Sequence, residues 1–415
     1  MTAVLATLRG ALPTERPDHA RVVAALLLVL AAGLAFSITL SETTLVVLAV
    51  VLVLGGSVDA LRRAPLVAPI GAFAAWTLVA AALSAEPADS LRATRSLLPL
   101  ATMWIVLAAL PSSAAARRFA TALFMAVAAA ALTAIVQVVT CPADGGYGSG
   151  PHIPVVGGFF RKCARAHAFF SIYMTLAGVL TVVLTLTLPR LRGLARPMLA
   201  TAAWLVGAVA LGLTLVRGAW LGFVTGAGLT LTVMRRRRLA VAVLVILVAA
   251  ALAMPTVHRR IETIGDPADD TTRDRVAMLH GGLRLIREHP LAGVGPGQVK
   301  RLYPVYAPPE ALRRHTSHLH NTPLQIAVER GLVGLALWLW IFLAFFVRAG
   351  RILRRVPPGA AADRALVAGA LAAVAAFLVS GLFEYNFGDT EVLLVLLAVM
   401  ALPFVVEREL EGRAA

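Results

Sequence analysis

Three of the chain's nine histidines fall within six positions of the stretch HTSHLHNTPLQ, residues 315–325. His315, His318 and His320 could be metal ligands, surface residues or a place where protons move. The His-x2-His-x-His spacing offers nitrogens to zinc, but neither a fourth ligand nor a helical i,i+4 pair accompanies it. The acidic run DPADD, residues 266–270, reads more simply as a turn than as the missing ligands. His320 differs from its neighbours because it directly precedes Asn321-Thr322-Pro323, a helix start with a capping side chain and an early proline. A helix N-terminus and nearby arginines both favour the neutral ring, which leaves His320 able to accept a proton as a general base.

A second group of residues is cationic. Arg217, in VRGAW (216–220), is the lone cation in a short connection between two apolar runs. Such a charge usually faces a polar cavity, with snorkelling to the interface as the alternative. Arg161, Lys162 and Arg165 lie in FFRKCARAH (159–167), and Arg275 lies in TTRDRVAMLHGGLRLIREHP (271–290). In that last run Val276, Leu279, Leu283 and Ile286 recur at helical spacing, with Thr271 or Thr272 as cap and Pro290 as stop. The pattern predicts an amphipathic helix on or near a membrane surface. FEYNFGDTEV (383–392) adds Glu384, Asn386 and Asp389. Guanidinium groups with few carboxylate partners suit a phosphate or diphosphate, which they bind bidentately. GVGPGQV (293–299) fails as a nucleotide loop, because no strand precedes it and no Lys-Ser/Thr ends it. It reads as a tight turn that brings backbone close to a ligand.

The elements that must position these groups are membrane helices. Of 415 residues 59% are hydrophobic and 14% charged, against roughly a quarter charged in soluble domains. Apolar runs long enough to cross a bilayer recur at 21–40, 42–57, 66–84, 96–110, 116–139, 166–188, 196–216, 218–234, 238–256, 327–347, 362–383 and 390–406. The fold expected is therefore all-α, a polytopic membrane protein of about twelve transmembrane helices. The net charge of +16 comes with no basic arm or nucleic-acid motif, which argues against a nucleic-acid partner. Arginines instead mark alternate connections, among them Arg62–Arg63, Arg117–Arg118 and the four-arginine run at 235–238. That alternation puts the N- and C-termini in the cytoplasm. The long connection 257–326, a helical loop between spans nine and ten, then faces the other side. The organisation expected is spans one to nine over 1–256, the loop over 257–326, and spans ten to twelve with a cytoplasmic tail over 327–415. Cys141 and Cys163, the two cysteines, fall in another outside loop, where they could close a disulfide.

Together these residues resemble the O-antigen ligase and polymerase superfamily of membrane glycosyltransferases, and within it the O-antigen ligases of lipopolysaccharide assembly. The resemblance rests on ARAHAFFSIYMTLAG (164–178), VRGAWLG (216–222), REHPLAGVGPGQV (287–299), HLHNTPLQIAVERGLVG (318–334) and GLFEYNFGDTEV (381–392). It implies a donor glycan on undecaprenyl diphosphate, a lipid A–core sugar as acceptor, and a site at the periplasmic face of the bacterial inner membrane. It carries catalytic roles onto Arg217 and His320, and substrate-binding roles onto Arg165, Arg275 and Asp389. Arg161 and His318 join them on the residue reading. No metal or other cofactor is implied. A polymerase or protein oligosaccharyltransferase of the same superfamily is the nearest alternative. A transporter, the alternative from another class, would more often show charges at the membrane midplane and an internal repeat.

Overall fold

The computed structural model describes residues 17–56, 64–141, 163–234, 262 and 269–414. The ninth expected span (238–256), the arginine run at 235–238, Arg161 and Lys162 lie outside them. Regular structure among the described residues is helical, with no strand. In chain order the helices are α1 (Pro17–Phe36), α2 (Ile38–Leu54), α3 (Val67–Ala82), α4 (Pro87–Ala93), α5 (Thr102–Ala109), α6 (Ser113–Val139) and α7 (Tyr173–Thr187). There follow α8 (Pro197–Leu213), α9 (Arg217–Val233), α10 (Asp270–Glu288), α11 (Val299–Tyr306), α12 (Thr322–Arg355), α13 (Ala361–Gly381) and α14 (Thr390–Ala414). Six helical stretches are long and apolar enough to cross a membrane, and three shorter apolar helices accompany them. Helices suit that setting because they satisfy their backbone groups internally.

Several boundaries differ from the sequence expectation, each for a local reason. The break between the first two helices falls at Ser37, whose side chain accepts from Leu40 N at 3.3 Å and caps α2. The fourth expected span is not one straight helix. After α4 it is a 3-10 stretch, Thr94–Ala101 with Pro99 inside it, followed by the eight-residue α5. The sixth begins at Tyr173, because residues 163–172 cross the bundle without helical structure. Gln137 holds that crossing, accepting from His167 N (3.1 Å) and Ala168 N (3.0 Å).

Close helix packing uses small residues, as expected where lipid removes the hydrophobic drive between helices. Gly218, Gly222 and Gly226 line one side of α9, and a Cβ at Gly226 would stand 2.9 Å from Ala372 O of α13. From Thr175 to Thr187 every residue of α7 is buried. The described residues of the segments read as cytoplasmic gather at one end of the bundle. There Arg117 pairs with Asp363, Arg190 donates to Arg117 O (2.8 Å), Arg348 pairs with Glu407 (2.9 Å) and Glu409 accepts from Ser113 N (2.8 Å). The described residues of the segments read as lying outside gather at the opposite end.

The tenth expected span, 327–347, is part of the longer α12, which is broken at Gly331 (φ 67°). The turn 290–298 fits into the break. Val294 N donates to Val328 O (2.9 Å), Gly295 N to Glu329 O (3.0 Å), and Leu332 N to Pro290 O (2.8 Å). Trp76 Nε1 of α3 donates to Arg330 O (2.8 Å). Gly293 and Gly295 have positive φ, and a Cβ at Gly293 would lie 2.5 Å from Val328 O. The glycine-rich turn thus approaches another stretch of backbone closely.

Cys141, just beyond α6, is disulfide-bonded to Cys163. Closing that loop constrains the unfolded chain by about 3 kcal/mol in the chain-entropy model. Protein exported through an oxidising compartment should therefore show no alkylatable thiol under denaturing, non-reducing conditions. Two labelled cysteines would refute the bond.

Candidate active site

At the end of the bundle opposite the Arg117–Asp363 pair lies a cavity of about 900 Å³. Arg165, Arg217, Arg275, His320, Asn321 and Glu384 line it, with Leu215, Leu279, Leu324 and Phe383 among its apolar walls. Each polar group arrives on a different element. Leu215, at φ 57°, turns the chain from α8 into α9, whose first residue is Arg217. Gly218 lets Phe383 pack against α9, since a Cβ there would lie 2.6 Å from Phe383 Cβ. Arg217 and Glu384 consequently share one cavity. Arg165 stands over the Tyr173 ring at 4.5 Å, a cation–π contact that orients its guanidinium.

α10 begins as the sequence predicts, but its cap is Asp269, which accepts from Thr272 N at 3.0 Å. The other oxygen of Asp269 meets Arg217 Nη2 at 3.5 Å. The face that α10 buries is Asp274, Ala277, Met278, Gly281, Gly282 and Leu285. The expected apolar stripe faces outward: Val276, Leu279 and Leu283 are exposed, and Val276 and Leu279 line the cavity. Asp274, buried, accepts from Leu312 N and Arg313 N at 3.0 Å each and so pins the chain that leads to the histidines.

His320 sits at φ 49°, a left-handed conformation that costs a non-glycine residue roughly 1–3 kcal/mol and tends to cluster at functional sites. Asn321 beside it caps α12, accepting from Leu324 N at 2.8 Å, and its amide donates to Leu382 O at 2.9 Å. Thr322 Oγ1 lies 2.8 Å from Glu384 O and 3.0 Å from Asn386 Oδ1. Phe387 anchors the same loop between the rings of Phe73 and Trp338, both 5.9 Å away. These contacts seat Glu384 on the N-terminus of α12. Glu384 Oε2 lies 2.9 Å from His320 Nδ1, and Oε1 lies 2.5 Å from Arg275 Nη2. Arg275 Nη1 also donates to Phe383 O.

A carboxylate at Nδ1 places the ring proton there and leaves Nε2 as the acceptor. Burial pushes the Glu384 carboxyl up, but the His320 hydrogen bond and the Arg275 charge outweigh it and hold its pKa below the usual value. Because the folded value is depressed, the stabilisation exists above the ordinary glutamate range and is lost as pH falls through the lowered value. His318 is different. Burial, the neighbouring His320 and Arg275 lower it to about 4 against the opposing pull of Glu384.

Of the residues singled out in the sequence, Arg165, Arg217, Arg275 and His320 therefore meet at one cavity. His318 is not in the lining, but its ring packs on that of His320 at 4.3 Å. Asp389 is placed at a helix cap: it accepts from Glu391 N (3.2 Å) and Thr175 Oγ1 (2.6 Å). His315 is exposed. Among the described residues no three His, Cys, Asp or Glu side chains are grouped to hold a metal ion. Sequence reasoning missed Glu384 and Asp269 as partners of the arginines. The available signal for Glu384 was a carboxylate at a span end, where an unpaired charge is costly.

A histidine held by a carboxylate beside arginines at one cavity is an arrangement that could take up a proton and hold an anionic group. Residues 200–339 match the family model described as O-Antigen ligase, a match that supports kinship with the O-antigen ligase and polymerase superfamily of membrane glycosyltransferases. No curated protein matches the chain.

Glu384→Gln keeps the side chain's shape but removes the charge that fixes the His320 tautomer. Turnover of glycan transfer should fall by about 10²-fold or more, as when the orienting carboxylate of a catalytic histidine becomes an amide. Unchanged turnover would leave Glu384 a purely structural ligand of Arg275.

Proposed function

We propose that the protein is an O-antigen ligase. It transfers a glycan from undecaprenyl diphosphate to a sugar hydroxyl of lipid A–core at the periplasmic face of the inner membrane. The observation that carries this reading is the convergence of His320, Glu384, Arg275 and Arg217 on one cavity within a chain that has an O-antigen ligase domain. In this reading about twelve spans cross the membrane with both termini cytoplasmic, and residues 257–326 form a periplasmic loop.

The step is a single displacement with inversion. Nε2 of His320 takes the proton of the acceptor hydroxyl, whose oxygen bonds to the donor's anomeric carbon as the bond from that carbon to diphosphate breaks. The electron pair leaves on undecaprenyl diphosphate. Arg217, Arg275, Arg165 and Arg161 balance the developing charge, a role a metal ion fills elsewhere. His318, against the His320 ring, acts through that ring from outside the cavity lining, and Asp389 acts at one remove by seating α14. The acceptor distinguishes a ligase from a polymerase or oligosaccharyltransferase. Purified protein should move glycan onto lipid A–core; transfer only onto a second glycan chain or a protein would select the other enzymes, and flux without transfer would select a transporter.

Within that assay three alanine variants separate the histidines. A general base contributes typically 10²–10⁴-fold, so His320→Ala should abolish detectable transfer while donor binding survives. His315→Ala and His318→Ala should retain most activity. With its pKa lowered to about 4, His318 stays neutral above that value, so its loss should leave the acidic limb of the pH–rate profile in place. A dead His318→Ala beside an active His320→Ala would reverse the assignment.

Arg217→Lys keeps the charge but loses the fork that meets two phosphate oxygens. The variant should insert and express normally yet turn over at a small fraction of the wild-type rate, and EDTA should leave wild-type transfer intact. Near-normal turnover of the lysine variant would demote Arg217 to an interfacial anchor.

A further inference from the structure

Beneath the cavity lies a buried polar group that the proposed chemistry does not use. Glu329 and Arg330 are 4% and 3% exposed, on the short outer part of α12 that precedes the break. Glu329 Oε2 accepts from Arg330 Nη1 at 2.8 Å, and Arg330 Nε reaches Thr77 Oγ1 of α3 at 3.2 Å. Glu329 Oε1 accepts from Gly297 N at 2.9 Å and from Gln325 Nε2 at 2.8 Å. Gln325, itself 1% exposed, turns its carbonyl the other way and accepts from Leu319 N at 2.8 Å. Leu319 is the residue before His320.

A pair of full charges at this depth is hard to explain by stability alone. Desolvating both ions offsets much of their attraction, and well-packed apolar residues of the same volume often do as well or better. What the pair provides is direction. Glu329 has acceptors on two sides, and its contact with Gln325 leaves only one amide orientation: Nε2 toward the carboxylate, Oε1 toward Leu319 N. An amide free to flip would put two donors face to face at Leu319.

We propose that Gln325 and Glu329 are positioning residues for His320, a buried relay that fixes the left-handed turn at 319–320 and so sets the imidazole against Glu384. The relay runs from the GVGPG turn through Gly297 N, the Glu329 carboxylate and the Gln325 amide to the backbone beside the base. It gives the broken helix a use: the same turn that fills the break supplies one end of the chain of hydrogen bonds. The inference deepens the reading of His320 as base and rests on it for its kinetic arm only.

Gln325→Leu tests it, since leucine has similar volume but neither accepts from Leu319 N nor donates to Glu329. Two measurements are made on the purified full chain in detergent or nanodiscs. The first is glycan transfer from undecaprenyl diphosphate-linked donor, where kcat should fall by about tenfold or more with the donor KM within about twofold. The second needs no activity: diethylpyrocarbonate modification of each histidine, read by mass spectrometry. His320 should react several-fold faster than in the wild type, while exposed His280 and His289 react as before. Wild-type kcat together with an unchanged His320 rate would overturn the relay. So would a rise at all the histidines together, or a KM effect without a kcat effect, since either marks general loosening. Because Glu329→Gln alone strands Arg330, the companion variant is Glu329→Gln with Arg330→Met, which keeps an acceptor for Gly297 and Gln325; it should recover His320 labelling close to wild type, and failure to do so in folded protein counts against the proposal. If the wild type transfers no glycan to any acceptor, the ligase reading falls, and the labelling arm still decides the relay.

Discussion

A helix that breaks inside a membrane bundle frees backbone donors and acceptors that lipid cannot satisfy, and each one left bare costs several kcal/mol. α12 breaks at Gly331, and the rest of the site depends on how that is resolved. Val294 N and Gly295 N cover two of the exposed carbonyls, Trp76 Nε1 covers a third, and Pro290 O takes the Leu332 N–H. Only a turn with positive φ and no side chains in the way can come this close, which accounts for Gly293 and Gly295. The break in turn tilts a short buried helix whose N-terminus presents His320 and Asn321 to the cavity.

The cavity is assembled by contacts that tie distant segments to that N-terminus. Thr322 and Asn321 hold the loop 382–386, and Phe387 plugs the loop into an aromatic cluster with Phe73 and Trp338. Glu384 is thereby fixed with one oxygen for His320 and one for Arg275. One carboxylate serves two partners, so any displacement of the loop disturbs His320 and Arg275 together. The close α9–α13 approach at Gly222 and Gly226, with Gly218 against Phe383, brings in Arg217 on a separate support.

Much of this was legible in the residues. Asn321-Thr322-Pro323 announced the start of α12, and the Val276-to-Pro290 pattern announced α10, because caps and helical periodicity are local. Which face α10 buries was not legible. Gly281 and Gly282 form the contact side, and their value lies in the room they leave for Tyr303 and Leu324, a property of neighbours far along the chain. The same holds for the arginines. Arg217, Arg275 and His320 could be chosen by type and place, but their carboxylates could not: Asp269 looked like part of a turn and Glu384 like one polar residue among several, and pairing across the fold has no local signature. Continuous hydropathy also hid the break at Gly331 and the irregular stretch Thr94–Ala101, since apolar composition reports burial in lipid and not backbone regularity.

The ion pairs of Arg275 and Arg217 at the cavity differ in a way that bears on how a diphosphate would be held. Arg275 is tied to Glu384 at 2.5 Å and to Phe383 O as well, whereas Arg217 meets Asp269 at 3.5 Å. The second distance is long for a charge-assisted hydrogen bond, which runs about 2.7–2.9 Å. A guanidinium has five donors in a fixed fork, so either arginine can keep its carboxylate and still offer N–H groups to phosphate oxygens. Turning Arg275 toward an anion, however, would pull on the carboxylate that fixes His320. In the proposed transfer Arg275 acts from a fixed position, and its firm hold on Glu384 keeps the base in place while the diphosphate departs.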